Sequence, residues 1–246
     1  MSDRSRGRVV VVTGASSGIG RSLALQLVRR GVRVVAAARS EDKLRQLSAE
    51  AGPSLVAMPV DVADEGAVGA LAKEVERRCG AAHAVVNNAA IGHLAPFLES
   101  TAGDWREIID INLIGALQVT QAFLPAMLAA GRGAIVNVGS SGAAGWPYLT
   151  LYSATKAALQ AATIALDREY AGCGVRVLSV EIGPTHGTGF GSRFRKADHV
   201  AAATRAWTEL GIDWNRPVAP EASAQRVVAA IEAVFDSQTG RHGGGT

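Results

Sequence analysis

Two cysteines in 246 residues, Cys79 and Cys173, are too few for a disulfide framework, and neither has a CxxC or Cys/His spacing. They read as free thiols of a reducing compartment. Aromatic residues make up only 5% of the chain, so a core has to be built from aliphatic side chains. Charge of one sign is missing too: 25 Lys+Arg stand against 22 Asp+Glu, and the basic residues are scattered apart from Arg4/Arg6/Arg8 and Arg193/Arg195/Lys196. A pI near 9.1 without a basic stripe gives little support to nucleic-acid binding. The opening MSDRSRGR lacks the apolar stretch and cleavage site of a signal peptide. The uncharged runs 113–131 and 133–155 are broken by Gln118, Thr120, Gln121, Pro125 and Asn137, which makes them poor membrane spans. None of the five histidines has metal-ligand spacing, so no metal site is expected. These absences predict a soluble, cytoplasmic protein with neither membrane nor nucleic acid as partner.

What is abundant is apolar aliphatic sequence, 48% hydrophobic overall, which suits one domain spanning 1–246 and excludes general disorder. Short β-branched runs at Val9–Val12, Arg33–Ala37, Leu55–Val60, Ala84–Val86, Ala134–Val138 and Val175–Val180 alternate with longer amphipathic stretches. Near-continuous apolar strands imply burial on both faces, as in a parallel sheet between two helical layers. The expectation is a doubly wound α/β fold of six strands. Helices are predicted to open at Gly20, Ser40–Glu41, Asp64–Glu65, Thr101–Asp104, Tyr152 and Pro220–Glu221, each with a capping or acidic residue near its start. From about 185 to 220 the pattern loses its strands and reads as a mobile excursion over a site, and 237–246 reads as a flexible tail.

The 28 glycines have no strict period, but three cluster where the first strand meets a helix: Thr13-Gly14-Ala15-Ser16-Ser17-Gly18-Ile19-Gly20. Backbone amides there can hold a pyrophosphate if no Cβ blocks the approach, so Gly14, Ser16, Ser17, Gly18, Ile19 and Gly20 are candidate cofactor contacts. A glycine-rich turn without ligand is the plainer alternative. The second strand ends in Ala38-Arg39-Ser40, with no carboxylate where the ribose of NAD would need an acceptor. Arg39 and Ser40 therefore favour the 2′-phosphate of NADP(H), unless Arg39 is merely a solvated surface residue. Asp61 and Val62, after the third strand, suit the adenine edge, although Asp61 alone would more often be a helix cap.

Further along come Asn87-Asn88-Ala89-Ala90, Asp110-Ile-Asn112, Ile135 to Ser140-Ser141, and Tyr152-Ser-Ala-Thr-Lys156. In this order and spacing the chain resembles the short-chain dehydrogenase/reductase family over roughly residues 8 to 184, and more loosely to about 235. Tyr152 and Lys156, at i and i+4, share one helix face. A nearby ammonium is expected to lower the phenol pKa from about 10, fitting Tyr152 for proton transfer to a carbonyl or from an alcohol. The resemblance implies that Lys156 also holds the nicotinamide ribose. It implies a carbonyl-orienting serine, Ser140 by count from Asn137, with Ser141 as the rival. It implies a water relay at Asn112, with an internal helix bond as the alternative, and cofactor contacts at Asn88 and Ala89, with Asn87 structural.

The chain departs from the family after the sixth strand, where it reads Ile182-Gly183-Pro184-Thr185-His186-Gly187-Thr188. Gly183 is retained, and either Thr185 or Thr188 is left to meet the nicotinamide carboxamide. The usual seventh strand is doubtful, because only polar residues and glycine follow Phe235. His93, Trp146, Tyr148 and His186 are candidate substrate contacts with Ser140 and Tyr152, and loop aromatics suggest an apolar or flat substrate. The implied activity is NADPH-dependent reduction of a ketone, reversible as alcohol oxidation, by a homodimer or homotetramer. Three alternatives stay open: reduction of a C=C or imine bond, a non-redox epimerisation or cyclisation, and a cofactor-binding regulatory protein without catalysis.

Overall fold

The computed structural model describes residues 7–194 and 196–239. Six parallel strands lie in the order β3-β2-β1-β4-β5-β6: β1 Val9–Thr13, β2 Arg33–Ala38, β3 Leu55–Pro59, β4 Ala84–Asn87, β5 Gly133–Val138 and β6 Val175–Val180. Each predicted strand is present within one residue at either end. Among the described residues no seventh strand forms, and the chain after β6 adds only an isolated bridge between Thr185 and Val218.

Strand alternation builds two cores from one sheet. Val10 and Val12 face α1 (Gly18–Arg29), α2 (Glu41–Ala51) and α8 (Pro220–Thr239); Val9 and Val11 face α3 (Glu65–Cys79) and α5 (Gly115–Ala129). All four valines are buried, each contributing about 1.5–3 kcal/mol through removal from water. The remaining helices are α4 (Ala102–Ile109), α6 (Thr150–Glu169) and α7 (Ala197–Glu209). The α4–α5 stretch, Ala102–Ala129, is long and apolar enough by length and composition to cross a membrane, but here Val119, Phe123 and Met127 bury it against the sheet.

The 185–220 segment holds α7, which buries Ala203 and Trp207 in a third apolar cluster with Leu94, Ile108, Leu149 and Tyr152. Its buried face, His199, Ala203 and Trp207, is a helical signal that the Gly and Pro residues around it obscured. Helix α8 continues to Thr239, two residues beyond the expected start of the tail at about 237, and residues 240–246 lie outside the described chain. Finally, α1 starts at Gly18 with Ser17 as N-cap, yet the Ser17 side chain makes no capping bond and the first turn holds no acid. By contrast α2, α3 and α4 each have an acidic first turn.

Candidate functional site

A cleft of about 670 Å³ runs along the carboxyl ends of the strands, where a doubly wound sheet leaves a crevice as its strand order reverses between β1 and β4. Arg39 and Asp61 follow β2 and β3 on one side of that reversal; Ser140 and Gly183 follow β5 and β6 on the other. Three strand steps separate β2 from β5, about 14 Å.

The glycine turn forms the floor. Gly14 has φ +64, and a Cβ there would stand 2.8 Å from Ala89 Cα. At Gly20 an added Cβ would meet the Gly14 carbonyl oxygen at 2.4 Å, so the turn closes on itself only without side chains. Thr13 and Asn88 lock it: Asn88 Nδ2 donates to Thr13 O at 2.9 Å, while Thr13 Oγ1 accepts from Asn88 N and Ala89 N. The free N–H groups of an α1 start that has neither side-chain cap nor acid face the cleft, a built place for an anion. Gly14, Ser16, Ser17, Gly18, Ile19, Arg39, Ser40, Asp61, Val62, Asn88 and Ala89 all line the cleft, and Gly20 supports the turn from behind. Arg39 is half exposed and stands 3.7 Å from Asp61. Lys43, one turn into α2 and three residues after Ser40, lines the same end.

At the opposite end α6 brings Tyr152 and Lys156 together. Lys156 is 4% exposed, its Nζ donates to Val138 O at 2.8 Å, and it lies 5.9 Å from the Tyr152 ring centre. Burial lowers the Lys156 ammonium to about 8, because removal from water disfavours the charged form. The expected lowering at Tyr152 does not appear. Burial raises the phenol above its ordinary value, and the hydrogen bond with Ser140 opposes that rise without reversing it. One N–H of the Lys156 ammonium is given to the Val138 carbonyl.

Both serines line the cleft, and the Ser140 hydroxyl is the one that acts on the Tyr152 phenol, opposing the rise that burial causes. Ser140 Oγ accepts from Gly142 N at 3.0 Å, which fixes the hydroxyl at the start of a 3₁₀ turn, Ser141–Ala144. The backbone of Ser141 is tied to Ile182 O at 3.0 Å. Asn112 is not in the long regular helix; it sits in a π segment, Asp110–Ile114, between α4 and α5. It is fully buried and does not line the cleft. Its Oδ1 accepts from Ile91 N at 2.8 Å and its Nδ2 donates to Ile91 O at 2.9 Å and to Thr155 Oγ1 at 3.3 Å. With those atoms engaged, Asn112 acts here as a clamp between the Ile91 loop and α6. Asn87 is structural, bonded to Asn137 Oδ1 at 2.8 Å and Thr120 Oγ1 at 3.1 Å.

Thr185, Thr188 and Gly183 line the cleft. Thr185 Oγ1 is shared with Gly183 O at 3.1 Å and Ser223 Oγ at 2.8 Å, whereas Thr188 has only a 3.5 Å bond to Thr185 O. Thr188 is thus the more available hydroxyl. Trp146 lines the cleft, but His93, Tyr148 and His186 do not. His93 turns to Asp104 at 3.6 Å; Tyr148, at φ +67, gives its carbonyl to Ala95 N; His186 N bonds Val218 O at 3.1 Å. Leu149, Phe190, Phe194, Trp207, Trp214 and Pro217 complete that end.

A Gly-rich turn at a helix start, an engaged Tyr-x-x-x-Lys pair and a bonded serine on one crevice decide the family. The chain is a short-chain dehydrogenase. The model of that family, described as short chain dehydrogenase, matches residues 8–199. An NADP-dependent 3-hydroxy acid dehydrogenase of Salmonella typhi is 34% identical over 200 residues, covering 80% of each chain. A fluoren-9-ol dehydrogenase of Terrabacter sp. is 37% identical over 241 residues, covering 87% of this chain and 64% of that protein. Among solved structures, the closed form of a serine dehydrogenase complexed with NADP+ superposes with a TM-score of 0.78 at 29% identity, covering 90% and 88% of the two chains. A putative NAD(P)-dependent gluconate 5-dehydrogenase from Beutenbergia cavernae, with bound NADP at low occupancy, gives 0.77 at 35% identity, covering 94% and 89%. This short-chain dehydrogenase is accordingly an oxidoreductase with the Rossmann-type fold.

Proposed function

We propose that this short-chain dehydrogenase is an NADPH-dependent carbonyl reductase, reversible as an alcohol dehydrogenase, acting on a hydrophobic substrate. The observation that carries this reading is one cleft with the Arg39 guanidinium at one end and Ser140, Tyr152 and Lys156 together at the other, Lys156 Nζ 5.9 Å from the Tyr152 ring centre. The residues fit NADP(H). The uncapped, acid-free start of α1 and the glycine cradle suit the pyrophosphate, and Arg39 with Lys43 suits a 2′-phosphate, with Asp61 lining the cleft beside them. Support also comes from the two relatives and neighbours whose names carry NADP.

When bound, the cofactor supplies a hydride from C4 of its nicotinamide. Lys156 would hold the nicotinamide ribose and Thr188 or Thr185 the carboxamide. Ser140 donates a hydrogen bond to the substrate carbonyl and polarises it. Tyr152 delivers the proton to the same oxygen. A phenol raised by burial keeps its proton at neutral pH, which suits the acid role in reduction. In alcohol oxidation the same rise is unfavourable, so deprotonation there leans on the Lys156 charge. Asn112 positions the Ile91 loop against α6.

The test is NADPH consumption over a panel of bulky ketones, quinones and 1,3-dicarbonyls, with Tyr152→Phe as the blank. Loss of a general acid costs on the order of 10²–10⁴ in rate. Turnover by Tyr152→Phe at near the wild-type rate rejects the mechanism, and silence by both proteins while NADPH binds favours non-redox use of the site.

A further inference from the structure

Half of the chain's Phe, Tyr and Trp residues line the reacting end of this one cleft: Tyr152, Trp146, Trp207, Trp214, Phe190 and Phe194. Ring contacts join them in two sets, the three tryptophans and Tyr152 with the two phenylalanines. Trp146 and Trp207 lie 5.2 Å apart between ring centres at 58°, and Trp207 and Trp214 lie 6.2 Å apart at 59°. Trp207 Nε1 already donates to Pro147 O at 2.8 Å and Trp214 Nε1 to Thr208 Oγ1 at 3.0 Å. Those two indoles therefore offer a ligand carbon and π surface, with no polar handle.

The Phe190 ring lies on the reacting residue itself. Its centre is 4.7 Å from that of Tyr152 at 62° and 5.3 Å from that of Phe194 at 80°. Gly92 makes the room, since a Cβ there would come within 2.3 Å of the ring. Phe190 sits on a short 3₁₀ segment, Gly189–Arg193, with Gly187, Gly189 and Gly191 around it, so its backbone has an easy route outward. A substrate packed on Tyr152 takes the surface this ring now covers.

Charge sharpens the choice. Of the cations placed in the cleft, Arg39 and Lys43 belong to its far end and Lys156, whose Nζ is bonded to Val138 O, lies at the reacting end. A substrate carboxylate packed against the Trp and Phe rings would be desolvated on carbon surface, which is costly. We infer that the substrate is an uncharged, planar aromatic ketone or its secondary alcohol, not a hydroxy acid, and that the Phe190 ring stands in for the substrate ring until displaced. This rests on the carbonyl-reductase reading of the same site.

The experiment is calorimetric titration of the protein saturated with NADP+, so that ketones bind without turnover, using 2-acetylnaphthalene, its fully saturated decalinyl counterpart and acetoacetate. NADPH consumption is followed in parallel. The planar ketone is expected to bind about tenfold tighter than the saturated one, the scale of one or two aromatic contacts, and acetoacetate to bind at least about a hundredfold more weakly still. Trp214→Leu, which keeps apolar bulk, removes the planar preference. Phe190→Ala tightens binding of the planar ketone severalfold, because a competing ring is gone. Equal binding of planar and saturated ketones, or acetoacetate bound as tightly as either, overturns the substrate class. Weaker planar-ketone binding by Phe190→Ala overturns the stand-in role. Planar-selective binding without NADPH consumption refutes carbonyl reduction while upholding the aromatic site.

Discussion

Replacing Lys156 by methionine should abolish activity and stabilise the protein at the same time. The buried ammonium has its pKa lowered from 10.5 to about 8 by desolvation. The sign follows from proton counts: between pH 8 and 10.5 the unfolded chain holds a proton on this lysine that the folded chain does not, so wild-type stability rises with pH across that window. The full shift corresponds to about 3 kcal/mol of destabilisation at pH 7, falling to about 1.4 kcal/mol at pH 9.5. Methionine fills similar volume without the charge, but it leaves the Val138 carbonyl without its 2.8 Å donor, a loss of about 1–3 kcal/mol. The variant should therefore be more stable than wild type at pH 7 by about 1 kcal/mol. That advantage should shrink, or reverse, by about 2 kcal/mol on going to pH 9.5. Urea denaturation of both proteins at the two pH values, without cofactor, measures it, and other titrating groups cancel in the difference. A wild-type-minus-variant stability that is the same at pH 7 and 9.5 would refute the assignment of a strained, charged Lys156. Turnover adds a check of opposite sense, since NADPH-dependent reduction should decline above pH 8 as the ammonium is lost.

Two further outcomes follow from the cofactor end and the surface. Arg39→Asp should weaken NADPH by about 2 kcal/mol, the scale of a charge-assisted contact, and NADH far less; equal losses measured by fluorescence titration would remove the 2′-phosphate contact. Ile114 and Ile164 are large apolar side chains exposed on the π segment and α6, and they should be covered in a homodimer. Light scattering that finds only monomer at micromolar concentration would exclude that assembly.

Strand content was legible from the chain alone because a sheet covered on both faces writes itself as continuous aliphatic runs, and the chain has six of them. The glycine turn and Tyr152-x-x-x-Lys156 were legible for a local reason: each is a short contiguous segment whose geometry is set by its own backbone. Gly14 and Gly20 are needed at contacts within the turn, and i,i+4 spacing places two side chains on one face whatever surrounds them. The choice of Ser140 over Ser141 was not local, since it depends on which hydroxyl reaches a phenol twelve residues away across a loop. The role of Asn112 depended on Ile91 and Thr155, distant in sequence. His93, Tyr148 and His186 were plausible by neighbourhood but fall outside the cleft lining, with the His93 ring beside Asp104 and the backbones of Tyr148 and His186 tied to Ala95 and Val218.

The direction of the Tyr152 shift was likewise a tertiary outcome. Spacing puts an ammonium near the phenol, but only packing shows that burial outweighs it and that the ammonium is directed at Val138. The sequence by itself determined the family, the sheet and the reacting pair, because those rest on period and short-range geometry. Only the tertiary structure decided which side chains share the cleft, how deeply the charges are buried and that three tryptophans from separate segments meet beside Tyr152, because burial and long-range contact are properties of the closed fold.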